Sequence, residues 1–292
     1  MAIPIYQTLR YVTSHPLNTA RPLAALARFV RWQLATRLRA GPRDVPFVDD
    51  AVLRVVRGMS GATGNVYCGL HEYADMGFAM HFLRADDLFV DVGANVGSYT
   101  VLASAVCGAR SIAFEPAQPA LSGLRGNIAA NNVGDLVDVR VQAVCGKPGP
   151  RRFTSGQDST NRLVDADYRG AGEIVPSTTL DMALAGMSPM LIKIDVEGAE
   201  AEVLQGAVQL LGSRTPQALI VEVSCPEREA LIEGLIAAGY ACCRYEPRTR
   251  DLQVLKTAPK TANVLFLRDP DSAQQRLQAA PTRHVRAPGV RL

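Results

Sequence analysis

Acidic residues are missing from the opening stretch of this 292-residue chain: the first is Asp44, and the residues up to Arg43 hold seven Arg. With a formal charge of only +3, the remainder is net acidic by about four, which gives no reason to expect nucleic acid as a partner. No apolar run approaches the roughly 20 residues of a membrane-spanning helix, and nothing resembles the apolar centre of a secretory leader. The six cysteines, Cys68, Cys107, Cys145, Cys225, Cys242 and Cys243, form no C-x-x-C pair and no regular framework. Adjacent Cys242 and Cys243 are poorly suited to a disulfide. These absences argue against a zinc site and a disulfide scaffold and fit a reducing cytoplasm. With 48% hydrophobic and 20% charged residues, the chain is long enough for one α/β core with appendages and short for two full domains.

A further absence concerns the glycines. The apolar run Leu88-Phe89-Val90 leads into Asp91-Val92-Gly93-Ala94-Asn95-Val96-Gly97 and then into Tyr99-Thr100-Val101-Leu102-Ala103, a strand, a tight turn and a helix. A dinucleotide fingerprint places glycines at the first, third and sixth positions; here those places hold Gly93, Asn95 and Ser98. The Asp91 carboxylate at the strand end would repel a pyrophosphate and attract the ammonium of an amino-acid-bearing cofactor. S-adenosylmethionine (SAM) carries that ammonium and no phosphate. The next short strand, Ser111 to Phe114, ends in Glu115, whose carboxylate can accept both ribose hydroxyls.

From Asn65 to about Ser224, and more loosely to Arg268, the chain resembles the FkbM family of SAM-dependent methyltransferases, a branch of the class I Rossmann-like enzymes. The resemblance rests on Asp91 to Gly97, Phe114-Glu115-Pro116, Asn127 with Asn131-Asn132, Thr179-Leu180-Asp181, Lys193-Ile-Asp-Val-Glu-Gly-Ala-Glu200 and Leu219-Ile-Val-Glu222. It implies a mostly parallel sheet with an antiparallel C-terminal edge and helices on both faces. It also implies O-methylation of a hydroxyl on a sugar or related natural product, so a small-molecule or glycan acceptor. Two readings compete: an NAD-dependent Rossmann oxidoreductase or epimerase, and a non-catalytic SAM-fold protein that binds through its Arg-rich helix.

Four regions are expected. Residues 1–45 form a basic extension in which Leu23, Leu26, Val30, Leu34 and Leu38 step along one face of a helix over Pro22 to Leu38. That face is expected to pack on the catalytic domain, with a peripheral membrane or anionic contact as the alternative. Residues 46–87 form a lid module punctuated by Gly58, Gly61, Gly64 and Gly69, with Asn65 to Tyr67 extended and a helix from about Tyr73 to Arg84. Residues 88–268 alternate strand and helix: strands at 88–92, 110–115, 136–144, 190–195 and 217–223, helices at 97–107, 117–132, 199–211 and 226–237. The excursion Gly146 to Gly172 is expected to shape the acceptor pocket. Residues 269–292, rich in Pro, Ala, Gln and Arg, are expected to be disordered.

In open α/β sheets ligands lie beyond the carboxyl ends of the strands. Asp195 and Glu197 stand at such an end and are the first candidates for handling the acceptor, Asp195 as general base or orienting group. Lys193 falls on the same face as Asp195, which allows an ion pair. The plain alternative is that these acids cap the following helix. His71 is a candidate proton acceptor. Glu72, Glu200 and Glu222 are candidates for the acceptor pocket, and Tyr73 is a further lid residue within reach of the cofactor. Around the cofactor the expectation is Asp91, Gly93, Asn95 and Gly97 at the methionine moiety, Glu115 at the ribose, and the backbone near Gln142 and Ala143 at the adenine.

Overall fold

The computed structural model describes residues 5–154, 163–164 and 169–292. Residues 155–162 and 165–168 of the expected pocket-shaping excursion, and residues 1–4 of the extension, lie outside the described residues. The extension holds helices α1 (Ile5–Ser14) and α2 (Pro22–Leu38). The lid module holds a hairpin of β1 (Arg43–Pro46) and β2 (Val52–Val55), then α3 (Ser60–Cys68) and α4 (Tyr73–Phe82).

The core begins with β3 (Leu88–Val92) and α5 (Ser98–Val101), which runs on as one wider π-helical turn over Leu102–Val106. Next come β4 (Arg110–Phe114), α6 (Gln118–Ala130) and β5 (Val137–Arg140). A small side sheet follows, made of β6 (Ala143–Val144), β7 (Gly149–Thr154), β8 (Leu163–Val164) and β9 (Gly172–Thr178). The chain returns through α7 (Leu180–Ala183), β10 (Leu191–Ile194), α8 (Glu200–Gln205), α9 (Val208–Gly212), β11 (Ala218–Glu222) and α10 (Arg228–Ala237). It closes with β12 (Ala241–Glu246), β13 (Asp251–Val254), β14 (Asn263–Leu267), α11 (Pro270–Gln278) and the short pair β15 (His284–Val285) and β16 (Val290–Arg291).

The main sheet has eight strands in the order β13-β12-β14-β11-β10-β3-β4-β5. Strands β5, β4, β3, β10 and β11 run parallel, and β14, β12 and β13 add an antiparallel edge. Parallel strands are covered on both faces and so read as continuous apolar runs rather than alternating ones. Accordingly Leu191, Ile192 and Ile194 in β10, and Ala218 to Val221 in β11, are fully buried. Phe89, Phe114 and Phe266 anchor the two faces, each contributing about 2–3 kcal/mol relative to exposure. After β3 the chain goes first to β4 and β5 on one side and later to β10 and β11 on the other. That reversal opens a crevice at the carboxyl ends of β3 and β10.

Four expectations are corrected. Residues 269–292 are ordered rather than disordered: α11 is capped by Asp269, which accepts from Ser272 N at 3.0 Å, and Leu277, Val285 and Leu292 are buried. A few well-placed apolar residues, with the ion pair from Arg276 to Asp87, outweigh a polar composition. Residues 65–67 belong to α3 rather than to an extended piece, and Gly64 is required there because a Cβ would stand 2.3 Å from the His71 ring. Strand 136–144 divides, its second part leaving for the side sheet. Lastly, α2 is a helix over the expected residues but turned the other way. Ala25, Phe29, Trp32 and Thr36 face the protein, while Leu23, Val30, Leu34 and Leu38 are exposed. No helix among the described residues is long and apolar enough to cross a membrane.

Candidate active site

A cavity of about 320 Å³ lies where the crevice was located, lined from β3, β4, β10 and β11 and covered by the lid module. Its floor is the 91–97 turn, where Gly93, Asn95 and Gly97 all take left-handed backbone, at φ of 82°, 51° and 84°. Gly93 is fixed by protein as well as by the cavity, because a Cβ there would come within 1.9 Å of the Asp195 carbonyl oxygen. The turn leaves few donors unused. Gly93 N and Ala94 N both donate to Phe114 O (3.1 and 2.9 Å), Gly97 N to Ala94 O (2.8 Å) and Asn95 N to Glu115 Oε2 (2.8 Å). A pyrophosphate cradle needs such amides free.

Charge distribution follows strand order. Toward β10 and β11 the cavity is acidic. Lys193, buried in β10, sits among the carboxylates of Asp195, Glu72 and Asp91, which outweigh the cost of burial and keep its ammonium charged. It also lies 4.8 Å from the centre of the Tyr99 ring. Asp91 accepts from Thr100 Oγ1 at 2.7 Å, and burial raises its pKa against the opposing pull of Lys193. Burial would likewise raise Asp195, but Lys193 at 2.5 Å holds it below the usual carboxylate range. Glu222, at the end of β11, is pushed up to about 8 by burial and by the neighbouring Asp195. Its Oε1 accepts from Ser224 Oγ at 3.0 Å, and its Oε2 has no partner among the described residues. Asp75, behind Asn263, is raised to about 6 by burial and by Glu72.

Toward β4 and β5 the lining turns apolar, with Phe114, Pro116, Ala117, Ala143 and Phe153. Glu115 marks the boundary. Its two oxygens accept from Asn95 N and Ala117 N, both at 2.8 Å, and burial raises it to about 7 despite those bonds. A carboxylate retains further lone pairs for ribose hydroxyls.

The cavity thus gathers Asp91, Gly93, Asn95, Glu115, Gln142, Ala143, Asp195, Glu197, Glu222, Glu72 and His71. Three expected contacts fall elsewhere. Gly97 turns toward α6, where a Cβ would meet Leu124 Cδ1 at 2.5 Å, and does not line the cavity. Glu200 is fully buried and turns back on its own loop, accepting from Val196 N (3.1 Å) and Gly198 N (3.0 Å), so it shapes the loop instead of meeting an acceptor. Tyr73 hydrogen-bonds Glu246 and does not line the cavity. His71 has one ring nitrogen occupied: Tyr11 Oη lies 2.5 Å from Nδ1. His15 is buried beside it, with Nε2 3.2 Å from His71 O.

Several residues of the site were not singled out from sequence. Tyr99 donates to Glu72 Oε2 at 2.5 Å, and Asn65 bridges His71 N (2.8 Å) and Ser98 Oγ (3.2 Å). Asn127 and Asn131, named above only as part of the family resemblance, clamp the lid. Asn127 accepts from Arg54 N (2.6 Å) and donates to Val96 O (2.8 Å), while Asn131 exchanges two 2.8 Å bonds with the Val52 backbone. The family resemblance pointed to both, and their four-residue spacing puts them on one face of α6. Asp181 accepts from Gln209 N and Leu210 N at 3.0 and 2.8 Å, so the Thr-Leu-Asp segment builds structure at the start of α9.

The fold and site define a Rossmann-like α/β domain with a cavity at its switch point that is acidic on one side and apolar on the other. The sequence model of the methyltransferase FkbM domain matches residues 91–240, just over half of the chain, and the chain belongs to that family. No curated protein matches it. Among solved structures it is similar to a methyltransferase FkbM from Methylobacillus flagellatus KT, at 17% identity and TM-score 0.46, over 70% of this chain and 52% of that one. It is also similar to an rRNA methylase from Streptococcus thermophilus (13% identity, TM-score 0.40, 66% of this chain and 91% of that one). A third is a putative methyltransferase from Streptococcus mutans in complex with SAH (11%, TM-score 0.42, 66% and 94%). The chain spans about half the length of the first of these.

Proposed function

We propose that this protein is a SAM-dependent methyltransferase acting on a hydroxyl of a sugar or related natural product. The observation that carries the choice of cofactor is the 91–97 turn, whose Gly93, Ala94, Asn95 and Gly97 amides are consumed internally while carboxylates face the cavity. That arrangement favours a cationic, phosphate-free nucleoside over a dinucleotide. Asp91 and Glu72 would hold the amino-acid end, Glu115 the ribose, and Gln142, Ala143 and Phe153 the base. When bound, SAM supplies an electrophilic methyl group on a sulfonium.

The acceptor reading rests on Asp195 and Glu222. Asp195, ionised and fixed by Lys193, suits orienting a hydroxyl, and Glu222, with its basicity raised by burial and by the adjacent Asp195, suits taking the proton. Six buried free cysteines favour a reducing compartment, the cytoplasm.

Calorimetric titration with SAM, SAH and NAD is the direct test. One SAM or SAH per chain and no NAD is expected. Folded protein that ignores SAM, or that takes NAD, ends this reading. Incubation with methyl-labelled SAM and cell extract, followed by mass spectrometry of the labelled product, then checks for an O-methyl group.

A further inference from the structure

We infer that helix α2 is a docking surface for an anionic lipid bilayer, lying in the headgroup plane with Leu23, Val30, Leu34 and Leu38 inserted. Those four side chains are 80%, 50%, 55% and 86% exposed. Their spacing of seven, four and four residues puts them on one face, opposite the packed face of Ala25, Phe29, Trp32 and Thr36. A helix that is apolar on both faces and packs only one of them leaves a stripe for a second apolar medium. Across the described residues thirteen large hydrophobic side chains are exposed, and seven of them lie between Ile5 and Leu38. The exposure is therefore concentrated on this extension.

Charge selects the occupant. Arg31 and Arg37 flank the stripe, and Arg10, Arg21 and Arg39 are exposed on the same extension. None of these five forms an ion pair among the described residues, and no acid occurs before Asp44. Against a second copy of the chain, the two Arg rows would meet with no carboxylate from either α2 to pair them. Anionic headgroups supply that counter-charge, and acyl chains take the Leu and Val side chains. The surface is also held rigid. Arg28 donates to Tyr67 O at 2.9 Å, Gln33 to Tyr67 Oη at 2.9 Å, and Phe29 lies 5.0 Å from the Tyr67 ring.

The test is sedimentation of the full chain with phosphatidylcholine vesicles, with and without phosphatidylglycerol. Binding to the phosphatidylglycerol vesicles is expected, weaker by about tenfold or more on pure phosphatidylcholine and reduced by high salt. The double substitution Val30→Asp with Leu34→Asp, at exposed positions, is expected to abolish sedimentation while leaving the thermal melt unchanged. Arg31→Gln with Arg37→Gln is an independent arm that keeps the stripe and is expected to weaken binding by about tenfold. No binding of the full chain to phosphatidylglycerol vesicles overturns the inference. So does binding that neither double variant reduces, or a concentration-dependent dimer that Val30→Asp with Leu34→Asp dissociates.

Discussion

The Lys193 ammonium lies 2.5 Å from the Asp195 carboxylate two residues later, at the carboxyl end of β10. One buried cation thereby fixes the ionisation and direction of the residue proposed to orient the acceptor. Asp195→Asn keeps the shape and removes the charge. We expect methyl transfer to fall by about 10²–10⁴-fold with SAM affinity changed less than about threefold. Single-turnover kinetics beside calorimetry distinguish this from a cofactor-binding role.

Glu222 gives a pH signature. Its pKa, raised to about 8, leaves it protonated at neutral pH, so as proton acceptor it becomes competent as pH rises through 8. The rate is expected to climb between about pH 7 and 9 and to lose that limb in Glu222→Gln. An unchanged pH profile in the variant would assign the proton to another group.

Glu115 makes two linked effects. Its pKa is raised from 4.5 to about 7, so the cofactor-free fold retains a proton that the unfolded chain releases. The carboxyl therefore favours the fold fully below about pH 4.5, and that contribution is lost as pH rises through 7. Ribose hydroxyls are accepted best by the ionised form, so SAM binding should tighten between pH 6 and 8 and lose this dependence in Glu115→Gln. Thermal melts and titrations across that window measure both.

Gly93→Ala places a methyl group 1.9 Å from the Asp195 carbonyl oxygen at a left-handed φ of 82°. A loss of more than about 2 kcal/mol in chemical denaturation is expected, with SAM binding lost beside it. Gly198→Ala meets no atom within 4 Å, carries only the backbone strain of φ 104° and should cost less.

Much of the architecture could be read from apolar runs, because a strand buried on both faces, such as Ala218 to Val221, has no polar alternation to confuse it. The turn at Asp91 and the acids Glu115, Asp195 and Glu222 were legible because strand ends define the rim. Helix α2 was legible as a helix but not in its orientation. With Leu23, Val30 and Leu34 on one side and Phe29 and Trp32 on the other, periodicity has two apolar faces to choose from, and only the Tyr67 contacts decide. Tyr99, Asn65 and Asp75 stayed hidden because their partners Glu72, Ser98 and Asn263 come together only in the fold. Glu200 misled because an acid at a helix start looks the same whether it faces solvent or its own loop.

The Gly93, Ala94, Asn95 and Gly97 amides are already spoken for by Phe114, Ala94 and Glu115. Three of these donors are bonded to main-chain carbonyls and lie beyond the reach of any side-chain exchange at the rim; only the Asn95 amide, held by the Glu115 side chain, would be released by one.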